Sequence, residues 1–111
     1  MITNKNHKDI LTFVKLRNTN VARCEEVFHK LDSWSPTDWA CALGGECGEA
    51  LNFIKKLRRG EKISTKDIAY ELADVIAYAD LLAARLDIDL GEAVIEKFNK
   101  VSKKRKSTYY L

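Results

Sequence analysis

Apolar residues recur along this chain at helical spacing, and three stretches carry their own start signals. Between residues 65 and 86, Ile68, Leu72, Val75, Ala79, Leu82 and Leu86 follow each other at three- and four-residue steps, which puts them on one face of an α-helix. Ile76 and Ala83 widen that stripe beyond what a single neighbour covers, so a homodimer or homotetramer is expected. Ser64 ahead of the stripe can cap it, with Asp67 three residues on and Ile63 facing Ile68. Ser35 repeats the pattern with Pro36 at the first helical position, Asp38 at the third and Trp34 able to pack on Trp39. Asp89 repeats it again before Glu92, with Ile88 preceding it. These signals predict helices over residues 37–58, 65–86 and 90–104.

An earlier helix is expected within residues 8–31, where Ile10, Phe13, Val14, Val21, Cys24, Val27, Phe28 and Leu31 keep mostly helical spacing. The polar run Asn18, Thr19, Asn20 is expected to interrupt it. No alternating β pattern of useful length occurs. The expected fold class is all-α, an antiparallel four-helix bundle-like arrangement, as a single domain over residues 1–111.

Composition narrows the setting. The 111 residues are 46% hydrophobic, enough for one small core that gains from oligomerising. No apolar run reaches the roughly 20 residues a membrane span needs, and the start MITNKNHKD has no apolar signal stretch, so a cytoplasmic protein with no membrane partner is expected. Three cysteines, Cys24, Cys41 and Cys47, lack CxxC spacing and suggest reduced thiols, with no disulfide framework or zinc site. The net charge of +3 is uneven: KFNKVSKKRK at 97–106 holds six basic residues and no acid, leaving 13 basic against 16 acidic elsewhere. That asymmetry, continued in a basic C-terminal tail at about 103–111, suggests local contact with phosphates more than a whole-surface nucleic-acid field.

The chemistry-bearing residues are two acidic pairs, Glu46 with Glu49 in GECGE and Glu71 with Asp74 in ELAD. Three-residue spacing puts each pair on one helix face, one turn apart. A lone pair of this kind is usually a solvated surface. Here both sit among apolar residues: Leu43, Ala50, Leu51, Phe53 and Ile54 around the first, Ile68, Leu72, Val75 and Ile76 around the second. Two such faces brought together set four carboxylates around one point, where they repel unless a cation lies between them. An all-oxygen set suits a hard ion, Mg²⁺ or Mn²⁺.

Gly44, Gly45 and Gly48 fall inside the same predicted helix, each costing roughly 0.8–1 kcal/mol relative to Ala. Close approach of another helix backbone, or of a ligand, is the expected reason. Lys56, seven residues after Glu49 and nearly on its face, can neutralise phosphate charge. Phe53 and Tyr78, each one turn beyond an acidic pair, can stack on a base.

These residues resemble the MazG-like, all-α nucleoside triphosphate pyrophosphohydrolases, whose pattern is ExxE on one helix and ExxD on the next. ALGGECGEAL, ELADVIAYADLLA and DLGEAVIEKF are similar to three successive family blocks, in the family's order, across about residues 34–105. The resemblance implies Mg²⁺-dependent hydrolysis of an NTP or dNTP, standard or modified, to the monophosphate and pyrophosphate. Glu46, Glu49, Glu71 and Asp74 would be the metal ligands, with Glu49 the candidate base. Lys56 and Lys97 match basic positions near the family's site, Tyr78 matches a nucleotide-contacting position, and Trp34 is a further base-pocket candidate.

The chain departs from the pattern at Asn52, where many relatives carry another acid, and at Val101, where some carry asparagine. The first leaves the metal count open. The missing acid at Asn52 and the basic tail motivate the alternative, a catalytically weak helical module that binds nucleotide or nucleic acid. A di-iron carboxylate bundle fits less well, since neither His7 nor His29 follows an acidic pair at ExxH spacing.

Overall fold

The computed structural model describes residues 10–111, as four helices: α1 (Phe13–Val27), α2 (Pro36–Arg58), α3 (Thr65–Arg85) and α4 (Leu90–Lys104). A 3-10 turn, Leu31–Ser33, precedes α2, and there is no strand among the described residues. The all-α expectation is met, and the three motif-bearing helices lie within a residue of their predicted bounds. His7 and the first positions expected for the N-terminal helix fall outside the described residues. No helix among those described is long and apolar enough to cross a membrane.

The helix starts are the ones the caps specify. At α2, the Ser35 hydroxyl accepts from the Asp38 N–H at 3.1 Å and the Asp38 carboxylate accepts from the Ser35 N–H at 2.9 Å. Trp34 and Trp39 close the staple over this box, with ring centroids 4.6 Å apart. Ser64 and Asp67 form the same reciprocal pair at α3, while at α4 Asp89 accepts from the Glu92 N–H. α2 stops at Gly60, whose φ of 84° reverses the chain so that the Glu61 N–H reaches back to the Lys56 carbonyl.

α1 is continuous through Asn18–Asn20, contrary to the expected interruption. Asn20 is buried, and its amide donates to the Ala77 carbonyl at 2.8 Å and to the Asp80 carboxylate at 3.2 Å. A side chain committed to tertiary bonds no longer competes for the backbone of its own helix. Asp80, only 1% exposed, also accepts from Arg17 Nε at 3.0 Å, so the buried carboxylate is fully partnered. This polar triad fixes α1 across α3.

α2 and α3 pack as an antiparallel hairpin: Trp39 near the start of α2 lies beside Tyr78 in the later part of α3, while Glu46 midway along α2 sits beside Glu71 in the earlier part of α3. The buried core is Cys24, Trp39 and Leu81, backed by Val21, Leu31, Trp34, Tyr78 and Leu82, where α1, the start of α2 and the end of α3 meet. α4 joins this body chiefly through α1. At Gly91 a Cβ would stand 3.0 Å from Phe13 Cβ, so the absence of a side chain lets α4 reach α1. Among the described residues the fourth helix packs chiefly on α1, with no comparable contact to α2 or α3. The radius of gyration is 16.4 Å, against about 13 Å for a compact chain of this length.

Candidate metal centre and aromatic pocket

The antiparallel hairpin brings the two acidic motifs together. Carboxylate oxygens of Glu46, Glu49 and Glu71 lie within 4.8 Å of one another, and Asp74, one turn beyond Glu71, joins Glu46 on the wall of the adjoining pocket. Glu46 and Glu71 are half-buried, whereas Glu49 and Asp74 are exposed. One oxygen of each half-buried group, Glu46 Oε2 and Glu71 Oε2, is shut off from solvent with no hydrogen-bond partner. Such atoms are costly to leave unsatisfied.

The electrostatics follow from that crowding. Loss of solvation, then the charges of Glu49 and Asp74, push the Glu46 carboxyl above the ordinary carboxylate value of 4.5. Glu71 is raised for the same reasons in the same order. Tyr78 is raised by burial first and then by the charges of Glu46 and Asp74. Each shift records lost solvation first and gathered negative charge second. A divalent cation held by oxygens would supply it, so the donor set and its two orphaned oxygens fit a hard ion.

Beside the carboxylates opens a pocket of about 410 Å³ whose walls are largely aromatic. His29 stacks on Trp34 with centroids 4.2 Å apart and planes 30° off parallel, and Trp39 sits 5.3 Å from His29 and 6.3 Å from Tyr78. Trp39 is held by its indole N–H, which donates to the Leu31 carbonyl at 3.0 Å, and the Trp34 backbone carbonyl accepts from Arg85 Nε at 2.8 Å. Phe28, Asn20 and Arg23 complete the rim, with Glu46 and Asp74 at one end. A pocket lined by aromatic rings thus adjoins the carboxylate cluster through Glu46.

Comparison with protein-family models, curated proteins and solved structures finds no match in any of the three.

Of the residues singled out from sequence, the structure brings Trp34 and Tyr78 into this pocket with Glu46 and Asp74. Phe53 does not line it; its half-buried ring lies under the Lys56 ammonium, 5.3 Å from the centroid. Lys97 lies on α4, beside Val94, Phe98 and Val101 in a separate shallow groove. Asn99 has its side-chain amide bonded to the Leu111 backbone through both oxygen and nitrogen, at 2.8 and 3.1 Å. The glycines at 44, 45 and 48 have nothing within 4 Å of where a Cβ would stand, so no other element among the described residues approaches them. Sequence reasoning missed His29, Phe28, Arg23 and Asn20. The one available signal was Asn20 on the same α1 face as Cys24, a polar group where the pattern calls for an apolar one.

Proposed function

We propose that this chain is a divalent-metal-dependent nucleoside triphosphate pyrophosphohydrolase, taking an NTP or dNTP to the monophosphate and pyrophosphate. The observation that carries the reading is the pair of solvent-excluded, unpartnered carboxylate oxygens on Glu46 and Glu71, in one carboxylate cluster that adjoins the aromatic pocket through Glu46. An apolar slot for a flat ring beside a cation site for polyphosphate matches the two ends of a nucleotide. The order of the ExxE and ExxD motifs, in their resemblance to the MazG-like enzymes, supports the same conclusion.

In this reading Glu46, Glu49, Glu71 and Asp74 hold Mg²⁺, with Mn²⁺ as a substitute. The ion supplies Lewis acidity toward phosphate oxygens and makes a nearby water more acidic. Glu49 is exposed and so free to accept the proton of the attacking water, while its half-buried neighbours hold position. Trp34, His29 and Tyr78 clamp the base. Lys56, on the Glu49 face of α2, supplies positive charge for phosphate, and its ammonium rests over the Phe53 ring. A nucleoside triphosphate and further copies of this chain are the partners.

The test is pyrophosphate release from a panel of ribo- and deoxyribonucleoside triphosphates with Mg²⁺ and after chelation. Release that disappears on chelation and falls at least about 100-fold in Glu49→Gln and in Asp74→Asn, with helical circular dichroism unchanged, is the expected result. Turnover unaffected by either substitution would sink the site. Strongly salt-dependent binding of RNA or DNA with no pyrophosphate release would leave a nucleic-acid-binding module in its place.

A further inference from the structure

His29 enters the aromatic pocket with one ring nitrogen already committed. Its Nδ1 lies 3.0 Å from the Lys30 carbonyl and 3.2 Å from the Ser33 hydroxyl. A carbonyl can only accept, and the Ser33 hydroxyl spends its one hydrogen on the same Lys30 carbonyl, at 2.6 Å. Both partners therefore call for an N–H at Nδ1. In the neutral imidazole that leaves Nε2 with a bare lone pair. The Nδ1 edge is turned to the backbone turn at residues 30–33 and one ring face is stacked on Trp34. Nε2 has no protein partner among the described residues, and is the polar atom His29 has left for the pocket it lines.

The same logic holds on α1. Asn20, 5% exposed, also lines the pocket, and its two amide hydrogens go to the Ala77 carbonyl and the Asp80 carboxylate. Those bonds fix which way the amide points and leave only Oδ1, again an acceptor. The Trp39 N–H, a donor on the same wall, is spent on the Leu31 carbonyl. Arg23 is exposed at the rim, where a guanidinium suits phosphate or ribose oxygens.

We propose that His29 discriminates between bases: its Nε2 accepts a hydrogen bond from an exocyclic amino group, so the pocket takes cytosine and adenine nucleotides over their keto counterparts, uracil and hypoxanthine. The proposal rests on the reading of this pocket as a nucleotide site. Within each pair an amino group becomes a carbonyl and the adjoining ring nitrogen gains a hydrogen, with size and shape almost unchanged. Opposite Nε2 the amino group donates. A keto oxygen instead sets one lone pair against another and leaves both unpaired among the rings. A site built around such a bond rejects the analogue that lacks it more sharply than an apolar wall rejects a change of size. Asn20 Oδ1, the second fixed acceptor, adds to the same bias.

Nucleoside monophosphates test this in the full chain, because they have no pyrophosphate to release and so report the pocket apart from turnover. Dissociation constants from NMR titration with Mg²⁺ present are expected to favour CMP over UMP, and AMP over IMP, by at least about 10-fold. His29→Phe keeps a flat ring against Trp34 and removes the acceptor, and is expected to bring both ratios to about one. Nitrogen-15 spectra of the wild type at pH 8 are expected to show the His29 proton on Nδ1, the signal being assigned by its loss in His29→Phe. Equal binding of amino and keto members, no binding of any of the four, a preference that survives His29→Phe, or a proton on Nε2 overturns the proposal. If His29→Phe loses its helical circular dichroism, the wild-type ratios and tautomer decide. Amino preference without pyrophosphate release from any triphosphate keeps the proposal and refutes the activity; release without the preference does the reverse.

Discussion

Glu46 and Glu71 are held in a state that costs the folded chain something whenever both are ionised without a cation. Their carboxyls sit above the ordinary 4.5 through lost solvation and the neighbouring charges of Glu49 and Asp74. A folded value above the unfolded one means stability that is fully present below about 4.5 and is lost as pH rises through the folded value. In chelator, Glu71→Gln is therefore expected to match the wild-type Tm near pH 4 and to exceed it by a few degrees at pH 8. Adding Mg²⁺ at pH 8 is expected to raise the wild-type Tm and leave that of the variant nearly unchanged. A wild type that stays the more stable of the two in chelator at pH 8 would contradict the charge crowding. At this scale the acids were legible because spacing on one helix fixes which face they share. His29 and Arg23 were not, since a loop and a tertiary crossing bring them to the pocket, and neither leaves a period in the sequence.

The helices α2, α3 and α4 show how far local signals reach. Their starts could be read because a cap is a contact within four residues, and the Ser35–Asp38 and Ser64–Asp67 boxes have the reciprocal bonds that spacing predicts. Their ends are less legible. Gly60 marks the close of α2, but α3 and α4 close in the same left-handed geometry at Asp87, φ 56°, and Lys106, φ 58°, where no glycine signals it. The Ile88 N–H still reaches the Ala83 carbonyl and the Ser107 N–H the Ser102 carbonyl, so the end geometry persists against a side-chain cost. Asp87→Gly removes that cost and is expected to add about 1 kcal/mol to unfolding free energy, measured by urea denaturation. No gain, or a loss, would mean that the Asp87 side chain contributes more than its backbone strain. The packing order of the helices was beyond local reading altogether: α4 meets α1 where Gly91 lies against Phe13, two residues separated by most of the chain.

For the molecule as a whole, the wide apolar stripe on α3 foretold more than one neighbour, and the structure supplies α2 and α1 on two sides while Leu72 and Ile76 stay bare. What sequence could not show is that the three glycines of α2 stand in open space, because openness depends on where every other element lies. The aromatic pocket carries a consequence of a different, optical kind. The chain has two tryptophans, Trp34 and Trp39, and they stand 4.6 Å apart on the wall of one pocket beside His29 and Tyr78. Tryptophan emission, excited at the red edge where the four tyrosines do not absorb, is thus emission from that pocket. A purine or pyrimidine stacking there is expected to quench it saturably, while inorganic pyrophosphate, which has no ring, leaves the signal near its starting level. Occupancy by substrate and by the released polyphosphate can be told apart in an unlabelled protein with a fluorimeter.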